Sequence, residues 1–569
     1  MTRTGAQIMC EALVRQDARV IFGIPGGAIM PFYHALWEYR DQVHHILCRH
    51  EQGAGHAAEG FARASGRVGV CVGTSGPGAT NLVTPIADAW MDGTPLVAIT
   101  GQVSSALLGT DAFQEVDITG ITVPITKHNY LVTHAEDLPR VFAEAFYIAR
   151  TGRPGPVHID VTKDAQIASV EPNWDEPIYL PGYTPSRPMV TSAVTAAAAL
   201  LRSAKQPLIL AGNGVIQSQA TQELRAFAEQ TQIPVITTLH GLGALSLDHP
   251  LALGMPGMHG WVHVNRAIQS CDVLLNVGSR FDDRVTGKAA TFAPKAKIIH
   301  VDIDAVEIGK VVRADVAIVA DAREALCALM EEVPALDTRA WLASIRAMEE
   351  THRPRQAYVR RERSAPLMPH DVYDAMNAAF ANRQDWRVVT DVGQHQMWAA
   401  QLLEWRRPRT HITSGGAGTM GFAVPAALGA AIACPNDTVW VVVGDGGFQM
   451  TNQELATIAQ EGVRNVKIAV INNGYLGMVR QWQELFEGSR YSGTPLSGPD
   501  FAALAEAYGV RGFTVSDASE AAGAIDEAWR HPQCALIDFR VEREANVFPI
   551  VPAGKSIGEM ILGGQAAAS

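Results

Sequence analysis

Residues 439–475 read VWVVVGDGGFQMTNQELATIAQEGVRNVKIAVINNGY. An apolar run over 439–443 closes on Gly444-Asp445-Gly446, and a second run over 466–471 ends on Asn472-Asn473. Both runs read as buried parallel strands. An acid leaving one such strand and an amide leaving the next put two hard oxygen donors on the same sheet edge, where an octahedral Mg²⁺ can hold a diphosphate. The intervening residues 452–461 are predicted to be the crossover helix. Gly444, Gly446 and Gly447 let backbone N–H groups approach phosphate oxygens, and the helix N-terminus adds its dipole. A glycine turn at a strand end in an unrelated α/β protein accounts for the triplet alone but poorly for triplet and amide pair together.

The 569 residues exceed what one hydrophobic core supports, so three domains of ordinary size are expected. Composition is ordinary for a globular chain, 47% hydrophobic and 18% charged. The net charge of −12 is spread along the sequence with no basic face, which argues against nucleic acid and anionic membrane as partners. Seven cysteines (10, 48, 71, 271, 327, 434 and 534) show neither CxxC nor metal spacing, so buried reduced thiols in a cytoplasmic enzyme are expected. No apolar stretch of about 18 residues is free of breakers and charge. The N-terminus reads as an amphipathic helix, not a signal peptide, and the mature protein is expected to begin close to Met1.

Outward from the opening stretch, the fold class is α/β, with three domains each built on a mainly parallel sheet flanked by helices. Domain 1–170 carries predicted strands at 20–22, 68–72, 96–100 and 157–160. The proline-rich segment 171–189 is a linker laid over the surface. Domain 190–340 carries strands at 207–211, 234–237, 273–277, 297–301 and 316–319. The charge-dense segment 341–365 is a connector, helical on either side of Pro354. Domain 366–569 carries strands at 387–391, 439–443, 466–471 and 535–539, and the tail 563–569 is expected to be disordered.

Further motifs lie around these strands. Arg49-His50-Glu51-Gln52-Gly53 precedes a helix predicted to begin near Ala54, where a glutamate also has a bland reading as a solvated acid favourable to the helix dipole. Gly416-Ala417-Gly418-Thr419-Met420-Gly421 fits GxGxxG, yet 411–414 is a poor strand and no acidic partner is suitably placed, so a nicotinamide site is a weak reading. In the middle domain, Gly212-Asn213-Gly214, Gly241-Leu242-Gly243 and Asp302-Ile303-Asp304 leave strands in the manner of an adenine-dinucleotide site.

The GDG and NN pairing resembles the thiamine diphosphate motif of enzymes that decarboxylate or ligate 2-keto acids. Nearly end to end, the chain resembles the catalytic subunits of the acetohydroxyacid (acetolactate) synthase family. The matching segments include GIPGGAIMPFYHAL from Gly23, RHEQGAGHAAEGFARASG from Arg49, GTDAFQEVD from Gly109, SRFDDRVTGK from Ser279, VGQHQMW from Val392, GYLGMVRQWQELF from Gly474 and VPAGKSIGEMI from Val551. Many members are one residue shorter between the two motifs, so the choice of Asn473 over Asn472 rests on aligning the NN pair. Ser104 stands where herbicide-sensitive relatives often carry proline.

The resemblance implies a thiamine-diphosphate-binding fold for the first and third domains and a Rossmann-like middle domain binding FAD in a structural role, although an empty vestigial pocket also fits. It implies Asp445, Asn473 and the carbonyl of Tyr475 as Mg²⁺ ligands. Val392, Gly393, Gln394, His395, Gly444, Gly446, Gly447, Leu476, Gly477 and Met478 join them around the cofactor. It gives Gly418 the aminopyrimidine contact, and Met420 either the wedge that bends the cofactor or plain core packing. Glu51 becomes the acid at the pyrimidine ring. Arg284 would hold the acceptor carboxylate, unless it only pairs with Asp282 or Asp283. Trp482 would wall the acceptor pocket, unless it is core, Phe113 and Gln114 would line the same cavity, and Gly27 would offer a backbone donor to an oxyanion. Arg153, Gly212, Asn213, Gly214, Gly241, Asp302 and Asp321 would hold FAD.

The implied reaction joins pyruvate to a second pyruvate or to 2-ketobutyrate in branched-chain amino acid biosynthesis. Glu51 of one chain would meet the diphosphate domain of another, making a homodimer or homotetramer, and a separate regulatory small subunit is expected. Alternatives are a fermentative acetolactate synthase, a glyoxylate carboligase, or a non-catalytic FAD-binding paralogue.

Overall fold

The computed structural model describes residues 2–352 and 366–563. A short antiparallel clip, β1 (Arg3–Thr4) on β8 (Ser169–Val170), ties the two ends of the first domain together. Inside it lie β2 (Val20–Gly23), β3 (His44–Leu47), β4 (Gly69–Gly73), β5 (Leu96–Gln102), β6 (His128–Val132) and β7 (Pro156–Thr162). All pair in parallel, in the order β3-β2-β4-β5-β7-β6. The middle domain holds β9 (Pro207–Ala211), β10 (Val235–Thr237), β11 (Ala252–Gly254), β12 (Val273–Val277), β13 (Lys297–Asp302) and β14 (Val316–Val319), ordered β11-β10-β9-β12-β13-β14. The last domain holds β15 (Trp386–Thr390), β16 (His411–Thr413), β17 (Thr438–Gly444), β18 (Val466–Asn472), β19 (Arg511–Val515) and β20 (Ala535–Arg540), ordered β16-β15-β17-β18-β20-β19.

Counted within each domain, the outer two share the order second, first, third, fourth, sixth, fifth. The middle one runs third, second, first, fourth, fifth, sixth, which is the dinucleotide-binding order. The central strands are buried on both faces, β5 along its whole length, as expected of parallel sheets covered by helices.

The first and last domains join through helix Glu51–Ser65 and helix Ala423–Ala433, both rich in alanine and glycine. A Cβ on Gly60 would sit 1.9 Å from the Ala426 carbonyl oxygen, and one on Gly429 would sit 1.8 Å from that of Ala57. Only glycine lets the two backbones come so close. Ala54, Ala57, Ala58 and Phe61 then share a core with Ala426, Ala427 and Ala430.

Several elements differ from the sequence reading. The strands β3, β6, β11, β16 and β19 were not predicted, and 411–414 does contain a strand. Helix Glu51–Ser65 starts at Glu51 itself, three residues early. The crossover predicted for 452–461 starts at Asp445 and comes in two pieces, Asp445–Thr451 and Glu454–Gln460. Helix Arg339–Thr351 packs Trp341 and Ile345 against the middle domain, with Trp341 Nε1 donating to the Pro207 carbonyl at 3.1 Å. The expected helix beyond Pro354 and the expected disordered tail after Gly563 lie outside the described residues. Among the described residues no helix is long and apolar enough to cross a membrane. All seven cysteines are free thiols, five of them buried.

Candidate active site

In each sheet the connections reverse direction beside the first strand, and the crevice at such a reversal, beyond the carboxyl ends of the strands, is where open α/β sheets bind ligands. In the last domain the reversal lies between β15 and β17. Val392 and Gly393 leave β15, Gly444 and Asp445 leave β17, and Asn473 leaves β18, and together they line a cleft of about 60 Å³. Gln394, His395, Met420, Gly446, Gly447, Tyr475, Leu476, Gly477 and Met478 line the same cleft.

Asp445 is buried, and burial pushes its carboxyl up to about 7. Its Oδ1 accepts no hydrogen bond among the described residues, so a cation is the natural complement of that oxygen. Asn473 is also buried, its Nδ2 donating to Gln394 Oε1 at 3.1 Å, whereas Asn472 turns away and donates to Asp538 Oδ1 at 2.9 Å. The Tyr475 peptide is held on both sides, by Leu476 N to the Thr494 carbonyl and by Leu496 N to the Gly474 carbonyl, each at 2.9 Å. The cleft is narrow: a Cβ on Gly477 would lie 2.2 Å from Gln394 Oε1 and 2.6 Å from Asn473 Nδ2. His395 is buried, and burial drives its pKa down to about 3, so the ring is neutral.

Asp391, which the sequence reading left out, closes the cleft from behind. Its carboxylate accepts the backbone N–H groups of Gly421 and Ala423, each at 3.1 Å, and a Cβ on Gly447 would land 1.8 Å from its Oδ2. The signal was present, since an acid ending a buried strand must find donors.

A larger cavity of about 990 Å³ adjoins the cleft, sharing Val392, Gly393, Met420 and Met478 with it. One wall is the middle domain, at the β9/β12 reversal. Gly212 and Gly214 press on Gly278 there, and a Cβ on Gly214 would be 2.6 Å from the Gly278 Cα. Asn213, Gly214, Asp302, Asp321 and Arg153 line this wall. Asp302 has its carboxyl raised to about 6 by burial, while Asp321 caps helix Ala322–Glu332 and Arg153 pairs with Glu307 at 2.9 Å. Gly241 lies behind the wall, its Cβ position 2.4 Å from the Ala211 carbonyl oxygen. The opposite wall is the glycine loop 414–420, including Gly418 at φ +67°.

Arg284 and Trp482 both line this cavity. Asp282 is occupied as the cap of helix Asp283–Thr286, and Arg284 reaches Asp283 at 3.6 Å, with both side chains largely exposed, and the Met258 sulfur at 3.9 Å. Such a pair is weak and leaves the guanidinium free to bind an anion. Trp482 is 38% exposed on helix Gly477–Phe486, so it is not core.

Glu51, Gly27, Phe113 and Gln114 line neither cavity. They gather on the first domain: Asn81 Nδ2 donates to Glu51 Oε2 at 2.9 Å, Gln114 holds φ +61° against Gly76, and Phe113 is 88% exposed. Glu454, from the last domain, holds the start of the Glu51 helix by accepting the N–H groups of Arg49 and His50 at 3.0 and 3.2 Å.

Residues 3–121 match the thiamine pyrophosphate enzyme N-terminal TPP binding domain, 194–329 the central domain of the same enzymes, and 391–539 their C-terminal TPP binding domain. The chain is 50% identical to the acetolactate synthase large subunit of Corynebacterium glutamicum, over 97% of this chain and 89% of that protein. It is 46% identical to the acetolactate synthase isozyme 2 large subunit of Escherichia coli, over 98% and 99% of the two chains. The probable acetolactate synthase large subunit of Methanocaldococcus jannaschii is 46% identical over 98% of this chain and 95% of its own.

Proposed function

The chain belongs to the thiamine pyrophosphate enzymes, among the acetolactate synthase large subunits, and from that membership we propose that it decarboxylates pyruvate and ligates the remaining two-carbon unit to a second 2-keto acid, pyruvate or 2-ketobutyrate. The observation that carries the reading is the cleft at the β15/β17 reversal, where Asp445 and Asn473 turn inward beside the fixed Tyr475 peptide. Those three groups would hold Mg²⁺, and Mg²⁺ would hold the diphosphate. When bound, thiamine diphosphate supplies an acidic thiazolium carbon and an electron sink for the carbanion left by loss of CO₂.

The protein's own groups do the rest. Glu51, steadied through Oε2 by Asn81, would exchange a proton with the pyrimidine ring through Oε1. The Gly418 carbonyl and the Met420 side chain would hold that ring in place. Arg284 would hold the acceptor carboxylate in a cavity that sheds water, so that the acceptor meets the two-carbon unit before a proton does. Trp482 would shape the space for the acceptor's alkyl group, and the Gly27 N–H would steady the developing alkoxide. The separation of Glu51, Phe113 and Gln114 from the cleft of their own chain supports a homodimer in which each chain completes the other's site. A homotetramer follows if two such dimers pair.

The strand order of the middle domain and the cavity of about 990 Å³ at its reversal support bound FAD, held by Arg153, Asn213, Gly214, Asp302 and Asp321. The relatives are named large subunits, which supports a small regulatory partner. Free thiols throughout support a cytoplasmic site of action.

Purified protein given pyruvate, thiamine diphosphate and Mg²⁺ should yield a product that acid converts to acetoin, and the same sample should show a flavin spectrum. Acetaldehyde or hydrogen peroxide as the product would overturn the assigned reaction.

A further inference from the structure

The three domains meet at one side chain. Asp92 ends helix Val83–Asp92 of the first domain and is buried. Its carboxylate accepts Arg63 Nη2 at 2.7 Å from its own domain, and the backbone N–H groups of Gly415 and Gly416 at 2.9 and 2.7 Å from the last domain. His240 of the middle domain brings Nε2 to 3.0 Å from Oδ1, off the line of an ideal hydrogen bond. The Asp92 carbonyl accepts Asn213 Nδ2, also from the middle domain, at 3.1 Å. Burial works against the Asp92 charge, yet His240, Arg63 and the Gly415 N–H hold its carboxyl well below the usual range. One turn earlier on the same helix, Asp88 accepts Ser414 Oγ at 2.5 Å, and that oxygen accepts the Thr419 N–H at 2.8 Å.

Ser414, Gly415, Gly416 and Thr419, which Asp92 and Asp88 hold, belong to the loop 414–420 that carries Gly418 and Met420. The loop packs closely on the same groups: a Cβ on Gly415 would lie 2.2 Å from His240 Nε2, and one on Gly416 would lie 2.9 Å from Asp92 Oδ1, while Gln396 Nε2 adds a bond to the Ser414 carbonyl at 2.9 Å. Asp92, His240 and Asn213 all line the cavity of about 990 Å³. The neighbouring buried trio His56, Glu59 and Asp88 has metal-like spacing, but Arg63 lies 3.5 Å from Glu59 and 3.7 Å from Asp88 and already supplies the cation.

We propose that Asp92 is a positioning residue that sets the shape of the 414–420 loop, and that His240 makes this setting answer to the occupant of the middle-domain cavity, so that a dinucleotide there tightens thiamine diphosphate binding next door. The dinucleotide half rests on the function proposed above. It gives a flavin that moves no electrons a physical task, the transfer of binding free energy between two sites.

The test is thiamine diphosphate affinity in the presence of Mg²⁺, read by tryptophan fluorescence, on flavin-free and flavin-loaded protein. Loaded wild type should bind about 10-fold tighter than flavin-free protein, within the usual range of coupling. Asp92→Asn turns an NH₂ group toward donors and should weaken binding in both forms and abolish the difference. His240→Gln leaves the buried Arg63–Asp92 pair in place, so it tests the coupling without threatening the fold, and it should shrink the difference while flavin absorbance stays. Equal affinities in loaded and flavin-free wild type, or an unchanged difference in His240→Gln, would overturn the coupling. Protein that takes up no flavin would remove the dinucleotide reading, and the Asp92→Asn comparison on that flavin-free protein would still decide the positioning role, with wild-type affinity overturning it.

Discussion

Asn472 and Asn473 are neighbours with opposite duties: the first donates to Asp538 at 2.9 Å and braces β18 against β20, while the second faces the cleft beside Asp445. Alternation along a strand end separates them. Asn473→Ala should abolish Mg²⁺-dependent binding of thiamine diphosphate by calorimetry. Asn472→Ala should keep binding and lose about 1 kcal/mol of stability, the worth of one hydrogen bond. Equal binding losses in both variants would contradict the assignment.

Glu454 reaches across from the last domain to hold the N–H groups of Arg49 and His50, the two residues before Glu51. Glu51→Gln should lower kcat by about 10²- to 10⁴-fold with cofactor affinity largely kept. Glu454→Gln should lower kcat about 10-fold and leave KM for pyruvate nearly unchanged, because it displaces the acid without touching the substrate.

Trp482 stands partly exposed over the cavity that also holds Arg284. Trp482→Leu should reduce the preference for 2-ketobutyrate over pyruvate by roughly 10-fold in a competition assay. Arg284→Lys should raise the concentration of acceptor needed, since a point charge replaces a planar fork.

Glu59 is enclosed, and burial pushes its carboxyl up to about 8, against about 4.3 in an unfolded chain. The folded protein therefore keeps a proton that the unfolded chain gives up between those values. Stability drawn from Glu59 is whole below about pH 4.3 and drains away as pH rises through 8. Glu59→Gln holds the neutral shape at every pH, so between about pH 5 and 9 its melting temperature should fall less than that of the parent. Parallel melting curves would refute this.

Gly60 and Gly429 let two helices touch backbone to backbone. Gly60→Ala and Gly429→Ala should each cost several kcal/mol, because the obstacle is a carbonyl that cannot rotate away. A drop in melting temperature well beyond that for Gly523→Ala, whose Cβ would meet nothing within 4 Å, would show it.

The sequence made the interior strands plain and hid every sheet edge except β14, predicted at 316–319. The runs at 439–443 and 466–471 are apolar because both faces are covered. The unpredicted β3, β6, β11, β16 and β19 all lie at sheet edges, where HHIL or HIT needs to bury only part of its surface. The cleft residues were legible because strand ends carry them in fixed order. Asp92 and Glu454 were not, because each is an isolated acid in the sequence and acquires its meaning from backbone N–H groups far away along the chain.

The distance between Glu51 and the cleft of its own chain has a genetic consequence. A strain carrying only Glu51→Gln, or only Asp445→Asn, should need the amino acids that the reaction provides. In the homodimer proposed above, a strain expressing both defective copies should grow without them, because one intact acid would meet one intact cleft in each mixed pair. Two lesions in the same copy, beside a second copy with the same two, should leave the strain dependent. Complementation between alleles thus becomes a readout of which chain lends what to whom.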